Sequence, residues 1–330
     1  MKLCIVYGTR PEYLKVCSLI KDLQCKVIRI TQHENILEPD LEYDYCIQIL
    51  NNNSNRLDSL GSQILSQLGK YVTQFTHILV QGDTSTAFYS ALCAFQNGVK
   101  IIHLEAGMRT YDIYNPYPEE AYRQMISRMT ETHLVPHKAN KTLLENENVQ
   151  GTIHVVGNTI LDLVKSYNLK VNPGHTVLIT FHRRENIEHL PNFVKHLKQI
   201  CEENNSKEFI WFLHPNKELQ KLVKSYDLNI TFLEPCSHRE FLEHVRNCFC
   251  LLTDSGGIQE EAAFLGKPTI VLRTSTERDQ IPFPYLQVVS PPYTKLKNAF
   301  NTLPTNELPP CYVYGDGNSL IQILSAVKYA

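Results

Sequence analysis

Short apolar runs rich in β-branched residues alternate with helical segments along this chain, and the alternation begins again near residue 176. The runs at 2–7 (KLCIVY), 26–31 (KVIRIT), 77–81 (HILVQ), 99–104 (VKIIHL), 133–135 (HLV) and 153–156 (IHVV) read as strands. Between them, a helix follows the first strand with Pro11 in its first turn, where proline is tolerated. Another spans about 84–97, and Ala121, Met125 and Met129 set a third at three-to-four spacing after Pro118. The second set of strands falls at 176–181 (TVLITF), 209–213 (FIWFL), 230–233 (ITFL), 249–253 (FCLLT) and 269–272 (TIVL). Strands alternating with helices predict parallel sheets covered on both faces. A chain of 330 residues also exceeds the roughly 250–300 that one core usually holds. The expectation is two Rossmann-like, doubly wound α/β domains, 1–168 and 169–316, with a last helix at 317–330. The stretch 164–175, ending in Asn172-Pro173-Gly174, reads as the linker, and the proline-dotted stretch 282–311 shows no clear period.

Composition narrows the partners. Hydrophobic residues at 43% and charged residues at 20% are the balance of an ordinary globular protein. A formal net charge of −2 gives no global attraction to nucleic acid or anionic membrane, so any polyanion must be held by a local site. No apolar run approaches the roughly 18 residues that span a bilayer. The opening strand runs straight into Gly8-Thr9-Arg10-Pro11 without a leader pattern, which predicts a cytoplasmic protein whose ten cysteines stay reduced. No cysteine or histidine spacing suits a metal, so none is expected.

In open parallel sheets, ligands sit beyond the carboxyl ends of the strands, so the turns there are the informative ones. After the first strand comes Gly8-Thr9-Arg10-Pro11-Glu12, with Lys15 one turn on; a helix start with Arg10 and Lys15 suits a phosphate, and equally a surface turn. The absence of G-x-G-x-x-G argues against a dinucleotide cofactor. Asp83 follows the strand at 77–81, where it suits catalysis or an N-cap. Glu105 ends the strand at 99–104 and is followed by Ala106-Gly107, an expensive place to half-bury an unused carboxylate. Glu119 and Glu120 open the next helix, as the helix dipole favours, and Glu119 and Arg123 are spaced i,i+4. The functional reading rests on convergence, because Asp83, Glu105 and Glu119 should all fall near one end of one sheet.

The second half repeats the arrangement. His182-Arg183-Arg184-Glu185-Asn186 follows a strand, combining a proton-transfer group with two cations. His214-Pro215-Asn216 follows another. In Thr253-Asp254-Ser255-Gly256-Gly257, Ser255, Gly256 and Gly257 would present a hydroxyl and unhindered N–H groups to a pyrophosphate, and Glu261 could accept from ribose hydroxyls one turn later.

These residues carry a resemblance that runs nearly end to end: GTRPE at 8–12, QH at 32–33, GDT at 82–84, HLEAGMRT at 103–110, PEE at 118–120, GNT at 157–159, HRREN at 182–186, TDSGGIQEE at 253–261, GKP at 266–268, TER at 276–278 and YGDG at 314–317. In this order they resemble the non-hydrolysing UDP-N-acetylglucosamine 2-epimerases of the glycosyltransferase-B superfold. The resemblance implies two Rossmann-like domains facing a cleft, a C-terminal helix crossing back to the first domain, and a homodimer. It implies C2 epimerisation of a UDP-sugar by anti elimination of UDP through a 2-acetamidoglucal, with no redox cofactor or metal. By motif, Asp83, Glu105, Glu119 and His182 are the implied acid–base set. Arg10, Lys15, His214, Ser255, Gly256, Gly257 and Glu261 are implied UDP contacts, with Arg123 and Phe241 beside them.

Four departures from the family pattern stand out. Glu34-Asn35 follows Gln32-His33 where a basic residue is usual, at a loop tied in some members to allosteric activation. Tyr122 replaces an asparagine, Phe181 a glycine, and Asp279-Gln280 a Pro-Glu pair. The competing readings are a 2-epimerase of a 6-deoxy UDP-HexNAc, a hydrolysing epimerase, a glycosyltransferase of the same superfold and a non-catalytic UDP-sugar sensor.

Overall fold

The computed structural model describes residues 1–31, 42–50, 55–170 and 174–328. The Gln32–Asn35 departure and the Asn172-Pro173 part of the linker lie outside them. The chain divides into two units, Met1–Leu163 with Tyr314–Ala330, and Val164–Val313.

The first unit holds strands β1 (Leu3–Tyr7), β2 (Cys25–Thr31), β3 (Tyr45–Gln48), β4 (His77–Gln81), β5 (Lys100–Leu104), β6 (Thr132–Val135) and β7 (Thr152–Val155). All pair in parallel, in the order β3-β2-β1-β4-β5-β6-β7. Its helices are α1 (Arg10–Asp22), α2 (Arg56–Val72), α3 (Ser85–Gln96), α4 (Glu119–Met129) and α5 (Lys138–Asn146), and α6 (Thr159–Ser166) runs across the division between the units. Successive strand residues point to opposite faces, so each sheet face has its own core. Cys4 and Val6 pack with Ile64 and Leu68 of α2 and Ala91 of α3, whereas Leu3, Ile5 and Tyr7 pack with Val16 and Leu19 of α1. Burial on both faces explains why the central strand β1 is apolar throughout.

The second unit repeats the plan with β8 (Val177–Thr180), β9 (Phe209–Phe212), β10 (Thr231–Leu233), β11 (Cys250–Thr253), β12 (Thr269–Val271) and β13 (Leu286–Val288), parallel in the order β10-β9-β8-β11-β12-β13. Helices α7 (Arg184–Ile187), α8 (Leu190–Glu203), α9 (Lys217–Lys224), α10 (His238–Asn247), α11 (Ile258–Phe264) and α12 (Leu296–Asn301) complete it. Val177 and Ile179 pack with α8, α9 and α12, and Leu178 packs with α10 and α11. The last helix, α13 (Ser319–Lys328), belongs to the first unit, where Ile323, Ala326 and Val327 join the α1 side of the core. Asp162 caps it, accepting from the N–H groups of Ser319 and Leu320 at 3.1 and 2.9 Å.

Strand order reverses between β1 and β4 in the first sheet and between β8 and β11 in the second. Each reversal is a switch point, where neighbouring strand-end turns diverge and leave room for a ligand. Two departures are taken up by packing: Phe181 is 2% exposed and stacks on Phe193 at 5.0 Å, and Tyr122 stacks on Phe88 at 4.5 Å. All ten cysteines are free thiols, and no helix among the described residues is long and apolar enough to cross a membrane.

Candidate active site

At the first switch point one buried carboxylate joins two turns. Glu12 is 1% exposed; its Oε2 accepts from the N–H groups of Gly8 and Thr9 at 3.0 and 2.7 Å, and its Oε1 accepts from the Thr84 hydroxyl at 2.7 Å. With the Thr9 hydroxyl accepting from the Glu12 N–H, this is a capping box that opens α1 and ties it to the turn after β4. Burial pushes the Glu12 carboxyl above its ordinary range, and these donors pull it back in part. Arg10 begins α1 at the same edge.

Asp83 follows Gly82 in the β4 turn and meets Arg123 from α4, whose Nε and Nη2 both reach Asp83 Oδ2 at 2.7 Å. The same guanidinium donates to Glu120 at 3.2 Å through Nη1. Glu120 is fully buried and also accepts from the N–H groups of Thr110 and Tyr111 at 2.9 and 3.2 Å, so it holds the loop that leads into α4. Glu119, the first residue of α4, is half-buried beside it.

Glu105 sits at the end of β5 with φ at 65°, in the left-handed region that a non-glycine residue adopts only under constraint. Its Oε2 accepts from Lys15 Nζ of α1 and from Gln81 Nε2 of β4, so three elements fix it. Two residues on, Gly107 has φ at 82°, and a Cβ there would lie 2.8 Å from the Asn140 carbonyl; only glycine fits. His103 lies beneath, with Nε2 2.7 Å from the Gly82 carbonyl oxygen, and burial drives its pKa down to about 3.

The second switch point centres on Asp254, which is fully buried after β11. Its carboxylate accepts from the His182 N–H at 2.9 and 3.1 Å, the Arg183 N–H at 2.8 Å and Asn186 Nδ2 at 3.3 Å. His182 Nδ1 lies 3.4 Å from Asp254 Oδ1, and the His182 ring stacks on His214 at 5.3 Å. His214 Nδ1 accepts from the Asn216 N–H at 3.2 Å, which leaves Nε2 as the proton-bearing nitrogen of its neutral ring. Burial and the neighbouring His182 lower the His214 pKa.

Beside this, a Cβ on Gly256 would lie 3.2 Å from Arg278 Nη1 and 3.5 Å from Arg183 Nη2, so two guanidinium groups converge on that glycine. Arg278 is anchored by Glu260 at 2.9 Å and Glu277 at 3.4 Å, and Glu277 also holds Arg273 at 3.0 Å. Ser255 and Gly257 flank Gly256, and the space around Gly257 is open. Glu261 pairs with His238 at 2.9 Å, and Phe241 packs edge-on against Phe212 at 4.9 Å.

Within the first unit, therefore, Arg10, Lys15, Asp83, Glu105, Glu119 and Arg123 gather at the switch-point end of the sheet. Within the second, His182, His214, Ser255, Gly256, Gly257, Glu261 and Phe241 do the same. Lys15 and Arg123, read from sequence as ligand contacts, are placed on Glu105 and Asp83. Asp254, Arg278, His238 and Glu12 were given no role in the sequence reading, although Glu12, Asp254 and Arg278 stand inside the motifs GTRPE, TDSGG and TER. Among the described residues no cluster of His, Cys, Asp or Glu is arranged to hold a metal ion.

Two parallel, doubly wound units with ionisable groups gathered at their switch points place the chain in the glycosyltransferase-B class of α/β proteins. The family model for UDP-N-acetylglucosamine 2-epimerase matches residues 17–328. The UDP-N-acetylglucosamine 2-epimerase of Campylobacter jejuni is 35% identical over 319 residues, covering 84% of this chain and 83% of its own. The crystal structure of the Neisseria meningitidis UDP-GlcNAc 2-epimerase bound to UDP-GlcNAc aligns with a TM-score of 0.90 at 29% identity, covering 100% of both chains. The Methanocaldococcus jannaschii UDP-GlcNAc 2-epimerase in complex with UDP-GlcNAc and UDP gives 0.87 at 28% identity, again over 100% of both. This chain belongs to the UDP-N-acetylglucosamine 2-epimerase family.

Proposed function

We propose that this chain interconverts UDP-N-acetylglucosamine and UDP-N-acetylmannosamine by elimination and re-addition of UDP, without hydrolysis. The observation that carries the proposal is the pair of carboxylates Asp83 and Glu105, each seated on its own cation at the same sheet end. A base removes the C2 proton, the C1–O bond breaks with its electron pair leaving on the β-phosphate, and a C1=C2 double bond forms. The 2-acetamidoglucal then takes UDP back at C1 and a proton on the opposite face of C2. The steps balance without an oxidant.

Proton removal on one face and delivery on the other call for more than one acid–base group, a role assigned to Asp83, Glu105, Glu119 and His182. A departing UDP needs its developing charge met by fixed donors. Arg10, His214, Ser255, Gly256 and Gly257 are proposed for this, and the guanidinium groups of Arg183 and Arg278 beside Gly256 support it. The same reading carries a homodimer and a cytoplasmic location as expectations.

Positional isotope exchange tests the bond-breaking step. UDP-N-acetylglucosamine with oxygen-18 in the bridge between C1 and the β-phosphate is incubated with the protein and followed by phosphorus NMR. Elimination scrambles the label into the non-bridging positions. Epimerisation with all label kept in the bridge would overturn it, and free N-acetylmannosamine with UDP would assign a hydrolysing reaction.

A further inference from the structure

Half-buried Tyr167 and buried His238, which the proposed chemistry does not use, form a relay with buried Glu261 in the second unit. Tyr167 Oη lies 3.0 Å from His238 Nδ1, and His238 Nε2 lies 2.9 Å from Glu261 Oε1. The side chains of His238 and Glu261 are 9% and 8% exposed. A carboxylate can only accept, and a neutral imidazole carries one N–H, so that proton sits on Nε2 and points at Glu261. Nδ1 then accepts from the Tyr167 hydroxyl. Every bond in the relay runs in one direction, and it ends by pinning one oxygen of Glu261 while the other carries no hydrogen bond among the described residues.

The helix geometry says where that second oxygen belongs. Glu261 lies four residues after Gly257, the helically turned N-cap of α11, so both lie on one side of the helix start, toward which side chains lean. A Cβ on Gly257 would meet nothing within 4 Å. Phe241, three residues after His238, places an aromatic ring on the same face of α10. We infer that His238, backed by Tyr167, is a positioning residue that aims Glu261 at the ribose diol of a bound uridine nucleotide. The inference rests on the UDP-sugar reading above.

Ribose selectivity tests it, because loss of packing alone would weaken all nucleotides together. Wild type, His238→Leu and His238→Gln are titrated by calorimetry with UDP, 2′-deoxy-UDP and 3′-deoxy-UDP. Wild type should prefer UDP over at least one deoxy analogue by about tenfold or more, the worth of a hydrogen bond to a charged group. His238→Leu should lose that preference, weakening UDP about tenfold while leaving the deoxy nucleotide within about twofold. His238→Gln, which returns an N–H donor, should restore much of it. Should His238→Leu lose the fold, Tyr167→Phe carries the same test with a smaller change in the same direction. An equal weakening of UDP and its deoxy analogues, or a wild type that does not distinguish them, overturns the positioning role alone. A wild type that binds no UDP overturns the underlying reading and the inference with it.

Discussion

Asp254, at the end of β11, accepts the backbone N–H of His182, at the end of β8, through both carboxylate oxygens, at 2.9 and 3.1 Å. This crosses the point where strand order reverses, so the turn carrying the proposed acid–base histidine is held by the neighbouring strand and not by its own sequence. The first unit has a counterpart: Glu12 after β1 accepts from Thr84 after β4.

Removing that carboxylate should be felt in stability before chemistry. Asp254→Ala leaves the N–H groups of His182 and Arg183 without an acceptor in a buried place, at about 1–3 kcal/mol each. Urea unfolding should therefore show a loss of about 3 kcal/mol or more. An unchanged midpoint would contradict the assignment.

Arg123 is predicted to act through Asp83. Arg123→Lys keeps the charge but cannot reach Asp83 with two nitrogens and Glu120 with a third. Turnover should fall by about tenfold or more, and Arg123→Ala should in addition lose about 3–5 kcal/mol of stability by stranding buried Glu120. Wild-type turnover in Arg123→Lys would show that the fork is dispensable.

Glu105 weighs more on activity than on stability. Glu105→Gln keeps the side-chain length and an acceptor oxygen for Lys15 and Gln81 but removes the counter-charge of nearly buried Lys15, so the unfolding free energy should fall by about 1–3 kcal/mol, less than in Arg123→Ala. Epimerisation should drop by about a hundredfold or more, as for the loss of an acid–base group. Full activity in a folded Glu105→Gln would remove Glu105 from the proposed set.

His103 sets a pH dependence of stability. Burial lowers its folded pKa to about 3 from an unfolded 6.5, so below pH 6.5 the unfolded chain binds the extra proton and stability falls with pH. Between these limits the slope is at most about 1.4 kcal/mol per pH unit. Glu12, whose carboxyl is raised, acts in the opposite sense above pH 4.5, so the comparison must be with a variant. Wild type should lose stability more steeply than His103→Gln between pH 6.5 and 4, as read by unfolding at each pH. Parallel curves would contradict the buried neutral imidazole.

The sequence made the strand-end residues legible because an ionisable group there ends an apolar run, as Asp83 does after HILVQG and Glu105 after KIIHL. It did not show who pairs with whom. Lys15 with Glu105 and Arg123 with Asp83 depend on strand order and helix placement, which no local spacing encodes. Asp254 was hidden for the same reason, since its donors lie 68–72 residues away. The edge strands β3 and β13 escaped because Tyr45–Gln48 buries one residue in four, and Leu286–Val288 is broken by Gln287 within a proline-dotted stretch, so neither shows an apolar run.

The central claim is tested most directly by proton NMR of UDP-N-acetylglucosamine incubated with the protein in deuterated water. The account predicts UDP-N-acetylmannosamine signals and deuterium at C2 of both sugars, with exchange lost in Asp83→Asn and His182→Ala. A spectrum that stays unchanged, with the C2 proton retained, would contradict it.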